Sequence, residues 1–182
     1  VKWIKHNSII ITPPEVFDLK NINVESAIKT RSVIMLIGPV IHYLKSFSLP
    51  HASGCNLGKR TISAHTYALE EVGIKIKTTN NSYDISTKKL KPSDLVMYEA
   101  GDTACENILT ACALIDGVST IRFASANYMV QEICFFLEAL GVRVDGIGSS
   151  TLVVHGIKEI NKDIEYTNSE DPIESMMFIS AA

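Results

Sequence analysis

Residues 49–60 read Leu-Pro-His-Ala-Ser-Gly-Cys-Asn-Leu-Gly-Lys-Arg, and they hold the densest group of reactive side chains in the sequence. Cys55 lies between Gly54 and the run Asn56, Leu57, Gly58. Lys59 and Arg60 follow at once, with His51 before and His65 after. The glycines let the backbone bend sharply and approach a ligand closely. Cations near a thiol favour its thiolate, and the same cations suit a phosphorylated or carboxylated substrate. The other reading of these residues is a passive surface thiol in an ordinary connection. A cysteine hydrolase is a further alternative with His65 as base, although no third group that would orient the histidine is visible.

The remaining chain must supply a scaffold for this loop. With 182 residues, 46% hydrophobic and 20% charged, it is long enough for one sizeable core. The net charge of -3 and a pI near 6.0 give no broad basic face, so no nucleic-acid partner is expected. The apolar run over 32–43 is broken by Gly38, Pro39 and His42 and is too short to span a bilayer. No signal-peptide pattern opens the sequence. A cytoplasmic protein with reduced thiols is the expectation. Cys105, Cys112 and Cys134 fall in apolar helical stretches and read as small core residues. There is no CxxC or Cys/His zinc pattern, so no metal is expected. No GxGxxG follows a strand and there is no P-loop, so no nucleotide cofactor is expected either.

Hydrophobic periodicity predicts a hairpin over 3–11, a helix over 26–37 whose apolar pattern runs on to 44, and a strand over 47–49. After the loop come a helix at 61–72, strands at 74–77, 83–86 and 95–98, and a helix at 104–115. A strand at 120–123, a helix at 129–140 and strands at 142–144 and 151–154 complete the pattern. The chain begins without methionine and stops within a helical pattern, as if cut from a longer protein. These elements repeat. Leu69 to Ile76 matches Leu137 to Val144 at an offset of 68, as do Ile85 with Val153 and Glu106 with Glu174. Phe47 matches Ile121 at 74, which predicts six extra residues in the first copy, at the cysteine loop. The units 12–86 and 87–154, with 1–11 ending one unit and 155–182 starting another, predict an α/β fold with strands running both ways.

Several pieces together resemble the enolpyruvyl transferases, and among them the UDP-N-acetylglucosamine 1-carboxyvinyltransferases. These are Arg31 with Leu36-Ile37-Gly38-Pro39, Ser48-Leu49-Pro50, Gly54-Cys55, Gly58-Lys59-Arg60, His65 and Leu69 to Gly73. Glu106-Asn107-Ile108-Leu109, Phe136 to Gly141 and Ile173-Glu174 add to them. The resemblance implies a fold of repeated helix-strand-helix-hairpin units, the inside-out α/β barrel, in two globules. This chain would be most of the globule bearing the lid loop, and the second globule would be its partner.

The resemblance also implies transfer of the enolpyruvyl group of phosphoenolpyruvate to the 3-hydroxyl of UDP-N-acetylglucosamine, through a tetrahedral intermediate, without a cofactor. Cys55 takes the place of the family's general acid, and Arg31 and Arg60 those of its phosphate-site arginines. Arg60 with Thr61, Ile62, Ser63 and Ala64 falls where the uridine part binds, and Glu99, Ala100, Gly101 and Asp102 where the diphosphate does. His65 becomes a supporting neighbour of Cys55 or a structural residue. Departures lie mainly on the nucleotide side. Ser63 replaces an aspartate, Glu99 and Asp102 replace a lysine and a small apolar residue, Asn127-Tyr128-Met129 replaces Glu-Pro-Glu, and Pro172 replaces an arginine. A non-catalytic or altered-acceptor paralogue is the alternative these departures favour. Enolpyruvylshikimate phosphate synthase shares the fold but lacks the loop cysteine.

Overall fold

The computed structural model describes residues 1–5, 8–12, 15–19, 22–51 and 61–182. Residues 52–60, with Cys55, Lys59 and Arg60, lie outside the described residues. The opening hairpin is present as β1 (Lys2–Lys5) against β2 (Ser8–Ile10), antiparallel, with Trp3 opposite Ile9.

The single helix expected over 26–37 and beyond is broken into three pieces. Helix α1 (Val24–Lys29) is capped by Asn23, whose side chain accepts from the Ser26 N–H. Thr30 is extended, and a 3-10 helix covers Arg31–Leu36 before the short α2 (Ile37–Val40). A long-range contact accounts for the second interruption, before Gly38. In a continuous α-helix the Gly38 N–H would donate to the Ile34 carbonyl four residues back. Instead Gly38 N donates to Asn107 Oδ1 at 2.8 Å, and Asn107 Nδ2 donates to the Ile34 carbonyl at 3.0 Å. A buried side chain from elsewhere in the fold is inserted into the helical ladder. The glycine is required there, because a Cβ on Gly38 would lie 2.4 Å from the Asn107 carbonyl oxygen.

Two sheets follow. The first orders β3 (Ser46–Pro50), β5 (Ser82–Thr87) and β4 (Ile74–Thr78) as β3-β5-β4, all antiparallel. The second contains β6 (Asp94–Val96), β7 (Gly117–Arg122), β8 (Arg143–Asp145) and β9 (Thr151–Gly156) in the order β6-β7-β9-β8. Here β6 is parallel to β7 and the other pairs are antiparallel. The order β3-β5-β4 recurs as β7-β9-β8, so the repeat is one of topology as well as sequence.

Register corrects the alignment of the copies. Gly73 and Gly141 both take positive φ, +96° and +98°, and keep the offset of 68. Ile76 pairs with Ile85, whereas Val144 pairs with Val154, so Ile85 corresponds to Val154 and not to Val153. Leu49 pairs with Tyr83 and Ile121 with Leu152, which makes Leu49 the counterpart of Ile121 in place of Phe47. Leu49 then precedes Gly73 by 24 residues and Ile121 precedes Gly141 by 20, so the extra length at the loop is four residues, not six. A one-residue slip would turn each strand's buried face outward, and alternation alone could not choose between neighbouring registers.

Helices α3 (Ser63–Glu71), α4 (Asp102–Ala113) and α5 (Tyr128–Ala139) cover the sheets. Helix α4 is the centre of the core and packs against α2, α3 and α5. Cys105, Ile108, Leu109, Ala111 and Cys112 are buried along it. Helix α6 (Pro172–Ala181) begins at the cap Asp171, and Pro172 suits the first turn because its missing N–H would have no helical acceptor there. Met176, Met177, Phe178 and Ile179 are exposed along this helix.

Candidate functional site

Arg31 opens the 3-10 helix, and its side chain crosses to the start of α3. Its Nη2 donates to the Thr61 carbonyl at 2.7 Å. Thr61 directly follows Arg60 in the chain. The guanidinium is therefore anchored where the cysteine loop rejoins the described structure. One candidate cation thus has a fixed position, while Cys55 and Arg60 lie outside the described residues.

Within the 61–64 stretch, Ile62 and Ala64 are buried and belong to the core, whereas Thr61 and Ser63 present their side chains to solvent. A cleft of about 500 Å³ lies beside them, lined by Thr61, Ile62, Ser63, Thr66, Tyr67, Glu70, Thr78 and Tyr83. The Tyr67 ring stands 6.1 Å from that of Tyr98, two residues beyond the end of β6 and next to residues 99–102. Neither Ile62 nor Gly101 caps its helix with a side chain.

His65 joins these two helix starts. It is only 4% exposed, its Nε2 is 3.4 Å from Thr103 Oγ1 and its Nδ1 is 3.2 Å from Asn107 Nδ2. Burial pushes its pKa down to about 4, and the Arg31 charge adds to the shift. At neutral pH it is an uncharged imidazole. That suits an oriented neighbour of the site and not a charged ligand-binding group.

Glu99 and Ala100 are exposed, and Asp102 is half-buried in the first turn of α4. The Asp102 carboxylate is already engaged. Ser125 Oγ donates to Oδ1 at 2.5 Å and Asn127 Nδ2 donates to Oδ2 at 2.9 Å. Asp102 therefore ties the start of α4 to the segment that leads into α5. Of the two acidic departures, Glu99 is the one whose charge faces solvent.

Cys105, Cys112 and Cys134 are buried, as their sequence context predicts. Burial raises their thiols to about 11, about 12 and about 12, so they are not thiolate nucleophiles at neutral pH. Among the described residues no group of three or more His, Cys, Asp or Glu is arranged to hold a metal ion. Among them, too, no helix is long and apolar enough to cross a membrane.

Residues 4–182 match the family model described as EPSP synthase (3-phosphoshikimate 1-carboxyvinyltransferase). The chain belongs to this family of enolpyruvyl transferases. A UDP-N-acetylglucosamine 1-carboxyvinyltransferase of Bradyrhizobium diazoefficiens is 30% identical over 181 residues, covering 100% of this chain and 41% of that protein. Proteins of the same name from Treponema denticola and Treponema pallidum are 33% and 34% identical over 86% and 87% of this chain. The chain spans about two fifths of the length of these curated relatives. Among solved structures, the enolpyruvyl transferase NikO from Streptomyces tendae superposes with a TM-score of 0.70 at 19% identity, over 87% of this chain and 37% of that one. It supports the enolpyruvyl transferase fold, with its mixed α/β sheets.

Four residues of this enolpyruvyl transferase region matter to the site and were not named as site residues from the sequence, although Asn107 carries part of the resemblance and Asn127 is one of its departures. Thr103, Asn107, Ser125 and Asn127 are short polar side chains in otherwise apolar or loop sequence. The signal available for Asn107 was an amide on the buried face of an amphipathic helix, where an unpaired polar group is costly.

Proposed function

We propose that the full-length protein transfers the enolpyruvyl group of phosphoenolpyruvate to the 3-hydroxyl of UDP-N-acetylglucosamine and releases phosphate. On this reading it acts in the cytoplasm at the first committed step of peptidoglycan synthesis, and so serves cell-wall biogenesis, cell shape and division. Residues 12–86 and 87–154 are two α/β units of one globule, and a second globule completes the active site. The observation that carries the reading is the bond from Arg31 to the Thr61 carbonyl. It holds one of the family's phosphate-site arginines at the end of the loop that contains the other, Arg60, and the cysteine.

The division of labour follows from side-chain chemistry. Arg31 and Arg60 grip the phosphate of phosphoenolpyruvate, since a planar guanidinium binds phosphate bidentately and offsets charge as the phosphate leaves. Cys55 is the general acid towards the enolpyruvyl group. The uridine part rests at Thr61 to Ala64, and the diphosphate near Glu99 to Asp102 at the starts of α3 and α4. Relatives named UDP-N-acetylglucosamine 1-carboxyvinyltransferase support the acceptor. The solvent-facing charge of Glu99 favours a second reading, an altered acceptor or a non-catalytic paralogue.

Phosphate release from phosphoenolpyruvate by the full-length protein separates these readings, measured with and without UDP-N-acetylglucosamine and with Cys55→Ser as control. Release that needs both substrates and Cys55 is the expected result. No release from a folded protein supplied with both substrates would overturn it in favour of the second reading.

A further inference from the structure

Asn107 is fully buried in α4, and backbone partners fix the identity of both ends of its amide. The Gly38 N–H can only donate, so the atom 2.8 Å from it is the carbonyl oxygen Oδ1. The Ile34 carbonyl can only accept, so the atom 3.0 Å from it is the nitrogen Nδ2. That nitrogen is also 3.2 Å from His65 Nδ1. An amide nitrogen donates and does not accept, so His65 Nδ1 is the acceptor and carries no proton. The neutral ring then bears its proton on Nε2, which faces Thr103 Oγ1 at 3.4 Å. Two backbone groups on the far side of Asn107 thus determine the tautomer of a histidine on another helix.

We infer that Asn107 is a positioning residue, which locks His65 in its neutral Nε2–H form and sets the seat of Arg31 at Thr61. The inference rests on the reading of Arg31 as a phosphate-site cation. Its physical basis is that three elements meet on one side chain. The amide takes the place of the Gly38-to-Ile34 bond, so it fixes the winding of the segment that Arg31 begins. It also holds His65 in the first turn of α3, immediately after the Thr61 carbonyl to which Arg31 donates. Reversing either end of the amide would leave a buried donor or acceptor without a partner. A proton on His65 Nδ1 would oppose an N–H to an N–H, and a ring protonated on both nitrogens would also place a second cation near Arg31.

The test compares the full-length protein with its Asn107→Asp variant, whose carboxylate has the same shape but cannot donate from the Nδ2 position unless protonated. Nitrogen-15 NMR of the histidine rings reads the tautomer directly, and the Arg31 Nε–H signal reads its setting. Titration with inorganic phosphate, followed at that signal, reads anion affinity. The expected result is an Nε2–H ring in the wild type, an Nδ1–H or doubly protonated ring in Asn107→Asp, a displaced Arg31 signal and phosphate binding weakened about tenfold. A wild-type ring protonated on Nδ1 overturns the inference and needs no variant to fold. So does an unchanged ring in Asn107→Asp, or a changed ring with the Arg31 signal unmoved. If the wild type itself shows no phosphate binding at Arg31, the functional reading fails. The ring and Arg31 signals then still decide on Asn107, because they require no ligand.

Discussion

The Arg31 side chain reaches the Thr61 carbonyl at 2.7 Å although thirty residues separate them in sequence. This bond bridges the two ends of the stretch that carries the loop strand and the cysteine loop. It gives the guanidinium one firm anchor at the start of α3. Arg31→Lys keeps the charge and loses the fork. We expect the KM for phosphoenolpyruvate to rise about tenfold with a smaller change for the sugar nucleotide. Steady-state kinetics with each substrate varied in turn checks this, and the opposite ranking would remove Arg31 from the phosphate site.

The cysteines should divide sharply. Cys105→Ser buries a hydroxyl in an apolar place and should lower stability by about 1–3 kcal/mol without abolishing turnover. Cys55→Ser should leave stability unchanged and lower kcat strongly. Thermal melts beside initial rates test the pair. Equal loss of rate in both variants would refute the role given to Cys55.

Glu99 and Asp102 should behave differently despite their shared charge. Asp102→Ala leaves Ser125 and Asn127 without their acceptor and should cost about 1–3 kcal/mol. Glu99→Lys touches no such network. It should leave the melting temperature alone and lower the KM for the sugar nucleotide, most clearly at low salt. A stable Asp102→Ala, or a Glu99→Lys that binds the nucleotide no better in low salt, would contradict the assignment.

Acid should destabilise the fold through His65. Its folded pKa of about 4 lies below the usual histidine value of 6.5. Between those values the unfolded chain binds a proton that the folded one does not, so stability falls as pH drops from about 6.5 to about 4 and levels off below. The full effect is on the order of 3 kcal/mol. Urea unfolding of wild type and His65→Gln at pH 7 and 4.5 should show the smaller pH dependence in the variant. Equal dependence would mean that His65 is not the group responsible.

Gly73 and Gly141 are repeat-related and share a left-handed φ, yet their surroundings differ. A Cβ at Gly73 would lie 2.4 Å from the Lys89 carbonyl oxygen, whereas at Gly141 nothing lies within 4 Å. Gly141→Ala should therefore cost about 1 kcal/mol for the backbone alone. Gly73→Ala should cost more, because the backbone must also shift. Chemical denaturation of both variants measures the difference, and equal losses would remove the steric contribution.

The amino-acid sequence by itself determined the element types, the tandem repeat and the residue types of the loop. Alternation and helical periodicity follow from which face of each element must be buried, and Gly73 and Gly141 mark the same turn by the same backbone need. Only the tertiary structure decided the interruption before Gly38, because the group that replaces the helical bond there is an amide 69 residues away. It also decided the strand registers, which depend on the partner opposite each residue, and the fate of Asp102, whose charge is taken up by Ser125 and Asn127. Local spacing reports what a side chain is, and a hydrogen bond between distant segments settles what remains of it for chemistry.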